Sequence, residues 1–437
     1  MKAKLDLNLE QVVSRGCGLD VHKEVIVATI SGQGIKTATR TFKTTTRSLT
    51  ELKDWLLSEE ITSVAMESTG VYWKPVYNIL EHADFELLVV NARHIKYVPG
   101  HKTDVKDSAW ICKLLLHGLL KRSFIPSLAQ RELRDLCRYR RKLIEQISSE
   151  KNRMIRIFED ANLKLSSVFS DTTGKTCTRI IDAILSGERS AEVLSSFCTH
   201  WRLKHTQTEI RDAVEGKFTP HHTKMLSIIR RNIEHIETSI LALEADIDIY
   251  FETHNYCELV ARLSSIPGVG EDSAKAILAE IGFDMSVFPN SKHLASWAGV
   301  CPGNNESAGK TKSGRTTHGN KMVKSILTQC AWAASRTVNT FLAIKYGKLA
   351  ARRGKKRAIV AIAHKILVSI YYIIKDGVVY EERNTDVINK NTKEVCLQRY
   401  VDYLQKMGYD ITLEALKKIL SENKKNSGVN IPDAVSV

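Results

Sequence analysis

Residues 16–30, GCGLDVHKEVIVATI, are the stretch from which the rest of the chain is interpreted. From Val25 to Ile30 apolar residues fill odd and even positions alike, which is typical of a strand buried on both faces. The segment is therefore predicted to form one buried β-strand, interrupted near its start by Asp20. An isolated carboxylate in such a strand is costly unless something compensates its charge. We expect either a basic side chain or a metal ion beside Asp20.

Composition points to a soluble protein with a polyanionic partner. The 437 residues predict about two to three domains. Lys and Arg number 64 against 49 Asp and Glu, a net charge of +15, while the 43% hydrophobic content is ordinary. This charge favours nucleic acid as the partner over an acidic membrane surface.

Neither a signal peptide nor a membrane span is predicted. The first ten residues alternate charged and apolar side chains instead of building a hydrophobic segment. The most apolar window, 358–374, is broken by His364 and Lys365 and predicts a buried helix. The nine cysteines include no CxxC pair, which indicates reduced thiols in the cytoplasm and no zinc site.

The first 120 residues predict an α/β layer. Periodicity indicates strands and helices in turn: strand 34–43, helix 46–58, strand 61–67, helix 72–82 and strand 85–91. Glu67 comes at the end of a strand. Asp104 and Asp107, spaced i and i+3 at the start of a helix, share one face.

Four carboxylates could therefore converge on one site. Asp20 lies on the first strand and Glu67 ends another, while Asp104 and Asp107 open the helix. Oxygen ligands suit Mg²⁺, and paired ions held by carboxylates catalyse phosphoryl transfer. The alternative is structural, because Asp104 and Asp107 also suit a helix cap.

The middle of the chain predicts long helices. Apolar residues from Leu226 to Tyr250 recur at alternating three- and four-residue spacing, a sustained coiled-coil seam. The seam has two interpretations, an internal antiparallel helical hairpin or an arm for dimerisation or nucleic acid. An irregular, mostly helical insertion is predicted at 166–220.

Two glycine-containing segments follow. Gly268 and Gly270, in the turn IPGVG before a helix, resemble the helix-hairpin-helix motif that holds nucleic-acid phosphates through backbone amides. A tight inter-helix turn is the alternative. Residues 302–321 predict a mobile, phosphate-contacting loop, with Lys310, Lys312 and Arg315 as its cations.

Four motifs, taken together, resemble the IS110 family of insertion-sequence transposases, also called DEDD transposases and similar to the Piv-type invertases. The resemblance covers most of residues 14–375. It rests on GLDVHK at 18–23, MESTG at 66–70, KTDVKD at 102–107 and the region 267–321. The insertion at 166–220 and the tail after residue 377 exceed what it explains.

The resemblance implies four regions. They are an α/β RNase H-like (RuvC-like) domain over 14–125, a helical coiled-coil region over 126–255, a mainly α transposase domain over 256–376, and a partly disordered extension over 377–437. Asp20, Glu67, Asp104 and Asp107 would bind Mg²⁺, and Lys102 would contact nucleic acid. The family also implies a structured guide (bridge) RNA, target and donor double-stranded DNA, and a dimer or tetramer.

The family further implies a serine nucleophile that forms a covalent protein–DNA intermediate. Ser307, in NESAGK, matches best, although Ala308 stands where a glycine is expected. Ser313 is the rival. Without the resemblance, a loop hydroxyl is a weak nucleophile unless a base or metal activates it.

Three functions therefore compete. The first is an RNA-guided serine recombinase, which yields joined products. The second is a metal-dependent RuvC-like junction nuclease, which leaves free ends. The third is a non-catalytic nucleic-acid-binding protein, which leaves Asp20 unexplained.

Overall fold

The chain forms a sheet-containing N-terminal unit and a helical C-terminal unit in a computed structural model. Contacts divide it into two compact units, Met1–Pro126 and Ser127–Val437. The structure describes residues 10–68, 70–91, 107–169, 171–172, 174–198, 205–303, 305–307, 310–313, 315–382, 397–398 and 400–426, with only the backbone for 305–307, 310–313 and 420–426.

A mixed five-stranded sheet organises the N-terminal unit, in the order β3-β2-β1-β4-β5. β1 to β3 form an antiparallel meander, and β4 and β5 continue the sheet in parallel. This arrangement is compatible with an α/β RNase H-like domain. The elements are β1 (Arg15–Val21), β2 (Val25–Gly32), β3 (Ala38–Lys43), α1 (Thr46–Ser58), β4 (Ser63–Glu67), α2 (Trp73–Leu80), β5 (Glu86–Val90) and α3 (Asp107–Leu116).

The single strand predicted over residues 16–30 is wrong, because the segment folds into the hairpin of β1 and β2. The amide of His22 donates to the carbonyl of Val25 at 3.0 Å, closing a tight turn at the exposed Lys23 and Glu24. The continuous apolar run belonged to two paired strands, each buried on both faces. Asp20 consequently lies next to the end of a short strand.

Helices cover both faces of the sheet. α1 begins and ends where predicted and buries Leu49, Leu52, Trp55 and Leu56 against the larger core, which α2 completes. On the opposite face α3 packs over a smaller cluster, which contains Ala65, Leu88, Val90, Ile111 and Leu115.

Two long helices, α4 (Leu128–Asp160) and α9 (Pro220–Thr253), form an antiparallel hairpin. Arg140 pairs with Glu244 at one end, and Phe158 shares a core with Leu226 at the other. Of the two interpretations of the seam, the internal antiparallel helical hairpin describes the contact between α4 and α9. Four short helices between them join that core: α5 (Leu165–Val168), α6 (Lys175–Leu185), α7 (Ala191–Ser196) and α8 (Gln207–Val214).

The described part of the C-terminal region consists of helices and one short hairpin. The elements are α10 (Cys257–Ser264), α11 (Glu271–Ile281), α12 (Ser291–Trp297), β6 (Asn305–Ser307), β7 (Lys310–Ser313), α13 (Lys321–Ala334), α14 (Phe341–Arg353), α15 (Lys355–Asp376) and α16 (Leu413–Asn426). α16 lies within the extension over 377–437 that was predicted to be partly disordered. Within the described residues, α15 alone has the length and apolarity of a membrane span, yet half of that window is buried in the protein, as in a core helix.

Candidate carboxylate site and serine hairpin

Two glycines let α3 lie directly on β1. A Cβ at Gly18 would lie 2.2 Å from the carbonyl oxygen of Ser108 and 2.3 Å from the amide nitrogen of Cys112, so no side chain fits. A Cβ at Gly16 would meet only leucine side-chain ends, at 3.1 and 3.2 Å. Since β1 runs from Gly16 towards Asp20, the first turn of α3 lies near the strand end that carries this carboxylate.

The parallel register of β1 and β4 brings two predicted carboxylates to neighbouring strands. Gly18 pairs with Ala65, and both lie on the sheet face covered by α3. Asp20 and Glu67 come two residues later on their strands, so they share that face by the alternation of a strand. Adjacent strands lie about 4.8 Å apart. The two carboxylates therefore belong to one edge of the sheet.

Asp107 begins α3 and is exposed at the same face. The next residue, Ser108, is buried, and its hydroxyl lies 2.7 Å from the hydroxyl of Thr29 on β2. Thr29 in turn lies 2.9 Å from the hydroxyl of Thr39. This hydroxyl chain ties the first turn of α3 to the sheet. Sequence reasoning missed it, and the only signal was a threonine within the apolar strand. Asp104 lies outside the described residues.

His22 is the basic partner expected beside Asp20. Its Nε2 lies 3.0 Å from Oδ2 of Asp20. The imidazole is 59% exposed and the carboxylate 19%. Asp20 and His22 are two residues apart at the end of β1, so the alternation of an extended strand puts both side chains on the same face. The structure thus provides the first of the two expected alternatives, a basic side chain beside Asp20, and the metal ion stays a prediction.

The donor chemistry of the site suits a hard cation. Asp20, Glu67 and Asp107 offer only carboxylate oxygens, which Mg²⁺ prefers. Over the described ranges, however, no three His, Cys, Asp or Glu side chains form a group that could hold a metal ion. The predicted fourth ligand, Asp104, falls outside those ranges.

Cysteine chemistry is not a competitor for this site. All eight cysteines in the described part of the chain are free. Burial raises the pKa of Cys112 to about 11 and that of Cys137 to about 12. These thiols therefore stay protonated near neutral pH and are poor nucleophiles. The reduced state of the thiols in the cytoplasm stays a prediction.

Ser307 lies on a β-hairpin, where a mobile loop was predicted. β6 and β7 pair antiparallel, with Ser307 opposite Lys310 next to the turn and Ser313 opposite Asn305 towards the base. Alternating Lys310-Thr311-Lys312-Ser313 suits a strand. The two candidate serines thus lie at opposite ends of one hairpin.

Backbone hydrogen bonds extend the base of this hairpin. The amide of Gly303 donates to the carbonyl of Arg315 at 2.8 Å, and that of Thr317 donates to Cys301 at 3.1 Å. Next to these bonds, the backbone at Gly319 packs directly on the backbone at Gly299. A Cβ at Gly319 would lie only 2.3 Å from the amide nitrogen of Gly299. Backbone hydrogen bonds and this close contact therefore hold the segments that precede β6 and follow β7.

A buried glutamate holds that base in place. Asn320 caps α13 and donates its side-chain amide to Oε2 of Glu280 at 2.7 Å. Glu280 is 1% exposed and accepts two hydrogen bonds from Arg138, at 2.6 and 2.9 Å. Arg134 donates to its backbone carbonyl at 2.6 Å. Glu280 thus joins α4, α11 and the residue that follows the serine hairpin.

Glu280 and the two arginines, Arg134 and Arg138, carry opposite charges that stabilise each other. Its hydrogen bonds to Glu280 raise the pKa of Arg138, whereas burial lowers the pKa of Arg134. A buried carboxylate needs such partners, because an unpaired charge in the interior is strongly destabilising. Sequence reasoning missed Glu280, whose partners lie 142 and 40 residues away.

The glycine turn before α11 has a packing role at one position. A Cβ at Gly268 would lie 2.4 Å from the carbonyl oxygen of Cys330 and 2.4 Å from the amide nitrogen of Ala334, so α13 covers this residue. Gly270 is exposed, with open space around it. The first turn of α11 contains Glu271 and Asp272. Phosphate binding by this turn stays a prediction.

The predicted cationic contacts are described in part. Arg315 is exposed at the base of the hairpin. Lys102 lies outside the described residues, and only the backbone is described for Lys310 and Lys312.

Two family models match the chain. One, described as "Transposase", matches residues 17–162, which contain the sheet and the carboxylate edge. The second, described as "Transposase IS116/IS110/IS902 family", matches residues 260–345, which contain the serine hairpin. Both matches are to domains of IS110-family transposases. The chain belongs to the IS110 family of transposases.

Curated relatives agree with this assignment. An "Insertion element IS110 uncharacterized 43.6 kDa protein" from Streptomyces coelicolor is 33% identical over 32% of this chain and 34% of its own length. The "Pilin gene-inverting protein" of Moraxella bovis is 31% identical over 35% of this chain and 48% of its own length. A "Putative transposase y4qE" from Sinorhizobium fredii is 24% identical over 59% of this chain and 55% of its own length. The chain thus matches about a third to just over half of each relative's length.

Proposed function

We propose that the chain is a DNA recombinase of an insertion sequence, which cuts DNA strands and rejoins them. The observation that carries this proposal is the parallel register that places Asp20 and Glu67 on neighbouring strand ends, on the face where Asp107 opens α3. Ligands for phosphoryl transfer need such convergence. Membership of the IS110 family supports it, as does the printed name of the Moraxella relative, a gene-inverting protein.

The four carboxylates have a common role in this proposal. Asp20, Glu67, Asp104 and Asp107 would hold Mg²⁺, which supplies Lewis-acid stabilisation of a phosphate when bound. His22, through its hydrogen bond to Asp20, fixes the orientation of that carboxylate.

Ser307 is the proposed nucleophile. Its Oγ attacks a DNA phosphorus, so that an Oγ–P bond forms and the bond from phosphorus to one sugar oxygen breaks. The serine proton passes to water or a base, and the departing oxygen takes up a proton. A sugar hydroxyl of the partner strand then attacks the same phosphorus and releases Ser307. The total number of phosphoester bonds is unchanged, so rejoining needs no high-energy cofactor.

The proposed partners follow from the family. They are a structured guide RNA, target and donor double-stranded DNA, and further copies of the chain, as a dimer or tetramer. The region boundaries at 14–125, 126–255, 256–376 and 377–437 belong to the same proposal. For assembly, α9 offers Leu241, which is 66% exposed, and the half-buried Ile236, Ile240 and Leu243. Lys102, Gly268, Gly270, Lys310, Lys312 and Arg315 are the proposed nucleic-acid contacts.

The second candidate is a RuvC-like junction nuclease that uses the same carboxylates and water in place of Ser307. The exposure of Asp107 favours this possibility, because an open carboxylate edge admits water. Free ends would identify a nuclease, whereas joined strands would identify a recombinase.

Four carboxylate variants test the proposal. Asp20→Asn, Glu67→Gln, Asp104→Asn and Asp107→Asn each keep the side-chain shape but remove a charged oxygen ligand. We expect each to lower Mg²⁺-dependent strand cleavage by at least about 100-fold and to leave RNA binding nearly unchanged, since loss of a ligand acts on the chemical step. Cleavage and binding are measured on radiolabelled substrates.

Asp54→Asn is the matched control, because Asp54 is an exposed carboxylate on α1 of the same unit. Full cleavage by any of the four variants removes that residue from the site. If Asp54→Asn lowers strand cleavage equally, the loss reflects a general effect on the N-terminal unit and not the removal of a metal ligand.

A further inference from the structure

Six basic side chains surround the turn at Gly354, where α14 ends and α15 begins. We call them the basic corner: Lys348, Arg352, Arg353, Lys355, Lys356 and Arg357. Residues 341–375 contain no Asp or Glu. The corner is therefore a dense cluster of like charges without an acidic neighbour in its own segment.

All six side chains of the basic corner are exposed. None of the ion pairs formed within the described ranges involves them. The basic run of α4 differs, because Arg138 is bound by Glu280, Arg140 by Glu244 and Asp272, and both Arg141 and Lys142 by Glu145. The basic run of α4 thus has acidic partners within the protein, whereas the cations of the basic corner are available to an external partner.

The position of three of these cations is unfavourable for the isolated protein. Lys355, Lys356 and Arg357 occupy the first turn of α15, which contains no acidic residue. The helix dipole makes a cation at this end of the helix unfavourable. Like charges in one turn add repulsion. An external polyanion would reverse both effects, so the cluster fits a binding surface better than a stabilising one.

The composition of the corner indicates what it contacts. Residues 347–357 contain no aromatic side chain on which a base could stack. Proteins that bind single-stranded nucleic acid use such stacking. The same residues also contain no Asn, Gln, Asp or Glu to read base edges, apart from the contacts that arginine itself can make. Lysines and arginines without such residues bind phosphates and position a duplex.

We propose that the basic corner binds the phosphate backbone of double-stranded DNA without reading its sequence. DNA is chosen over duplex RNA because the family to which the chain belongs is named for transposition. This surface adds six contacts to the residues named under the proposed function, and it does not depend on the carboxylate chemistry.

The salt dependence of binding tests this proposal. The triple variant Lys355→Gln, Lys356→Gln and Arg357→Gln removes three charges with good helix formers. Its control, Lys217→Gln, Lys224→Gln and Arg231→Gln, removes two lysines and one arginine that are also exposed in the same unit. A second variant neutralises Lys348, Arg352 and Arg353 on α14. Affinity of the full chain for a mixed-sequence DNA duplex is measured over a salt series in EDTA, and circular dichroism confirms folding.

Each lost phosphate contact lowers the slope of log affinity against log salt by about 0.9. We expect both corner variants to flatten the slope by about two to three units for DNA, and the control by less than one. Equal flattening in the control overturns the proposal, because the effect is then one of net charge. Loss of affinity for an RNA duplex alone also overturns it.

EDTA keeps this test separate from the proposed function. If recombination fails in every assay but the corner variants still flatten the slope, the surface stands and the catalytic proposal falls. If recombination is established but the slope is unchanged in both corner variants, the surface is wrong and the catalytic proposal stands.

Discussion

At the scale of single residues, the site depends on which side chains are small. Glu67 was predictable at a strand end, because apolar runs show where a strand stops. Asp20 was predicted near the start of a single strand, and only the β1–β2 hairpin puts it next to the carboxyl end of β1. Gly18 was visible in the sequence, but its role was not. Its contact with Ser108 joins positions 90 residues apart in the chain, which local periodicity cannot reveal.

Gly18→Ala should displace α3 from β1. The added Cβ meets backbone atoms at 2.2 and 2.3 Å, which cannot move like a side chain. We expect a loss of about 1–3 kcal/mol in unfolding free energy, or more, as for other overpacked cores. Cleavage should also fall, since Asp107 moves with α3. Urea denaturation and a cleavage assay measure the two effects.

Gly16→Ala is the control for this change. Its Cβ meets only the ends of leucine side chains, which can rotate away, so a smaller loss is expected. If both variants are equally stable and active, then close packing of α3 on β1 does not position the site.

At the scale of elements, sequence patterns identified helices better than connections. α1 was predicted to the residue, because its buried face recurs at helical spacing. The β1–β2 hairpin was mistaken for one strand, since a two-residue turn interrupts the apolar pattern only briefly. The serine hairpin was mistaken for a loop, because glycines at 303, 309 and 314 suggested mobility. Its anchor, Glu280, is polar in an apolar helix face and has no pattern of its own.

Asn320→Ser should loosen the serine hairpin without removing the cap of α13. Serine caps helices about as well as asparagine but lacks the amide that Glu280 accepts. A hydrogen bond to a charged group contributes about 1.5–3 kcal/mol. We therefore expect faster amide hydrogen exchange at Gly303 and Thr317, whose hydrogen bonds form the base of the hairpin.

Asn290→Ser is the matched control. Asn290 caps α12 through two amides, as Asn320 caps α13, but no hydrogen bond links it to Glu280. Similar exchange at Gly303 and Thr317 in both variants would show that capping, not Glu280, holds the base.

At the scale of the whole molecule, the order of the sheet-containing and helical regions along the chain was predictable. A mixed sheet precedes a helical region, as alternating strand and helix patterns followed by long heptad-like runs indicated. The net charge of +15 indicated a polyanionic partner but not its surface. Only the structure separates arginines neutralised inside the protein, as on α4, from exposed cations such as those of the basic corner.

The central claim of the proposed function is that the four carboxylates and Ser307, from the same copy of the chain or from two copies, take part in cutting and rejoining DNA. Its most direct test is to trap the covalent intermediate. The protein is incubated with Mg²⁺, RNA transcribed from the DNA beside its reading frame, and a nicked duplex that cannot be rejoined. The denaturant-resistant adduct is then mapped by mass spectrometry. We predict DNA attached to the peptide containing Ser307, lost in Ser307→Ala and in Asp20→Asn. Attachment at Ser313 would move the nucleophile, and cleavage by Ser307→Ala without any wild-type adduct would contradict the account in favour of a nuclease.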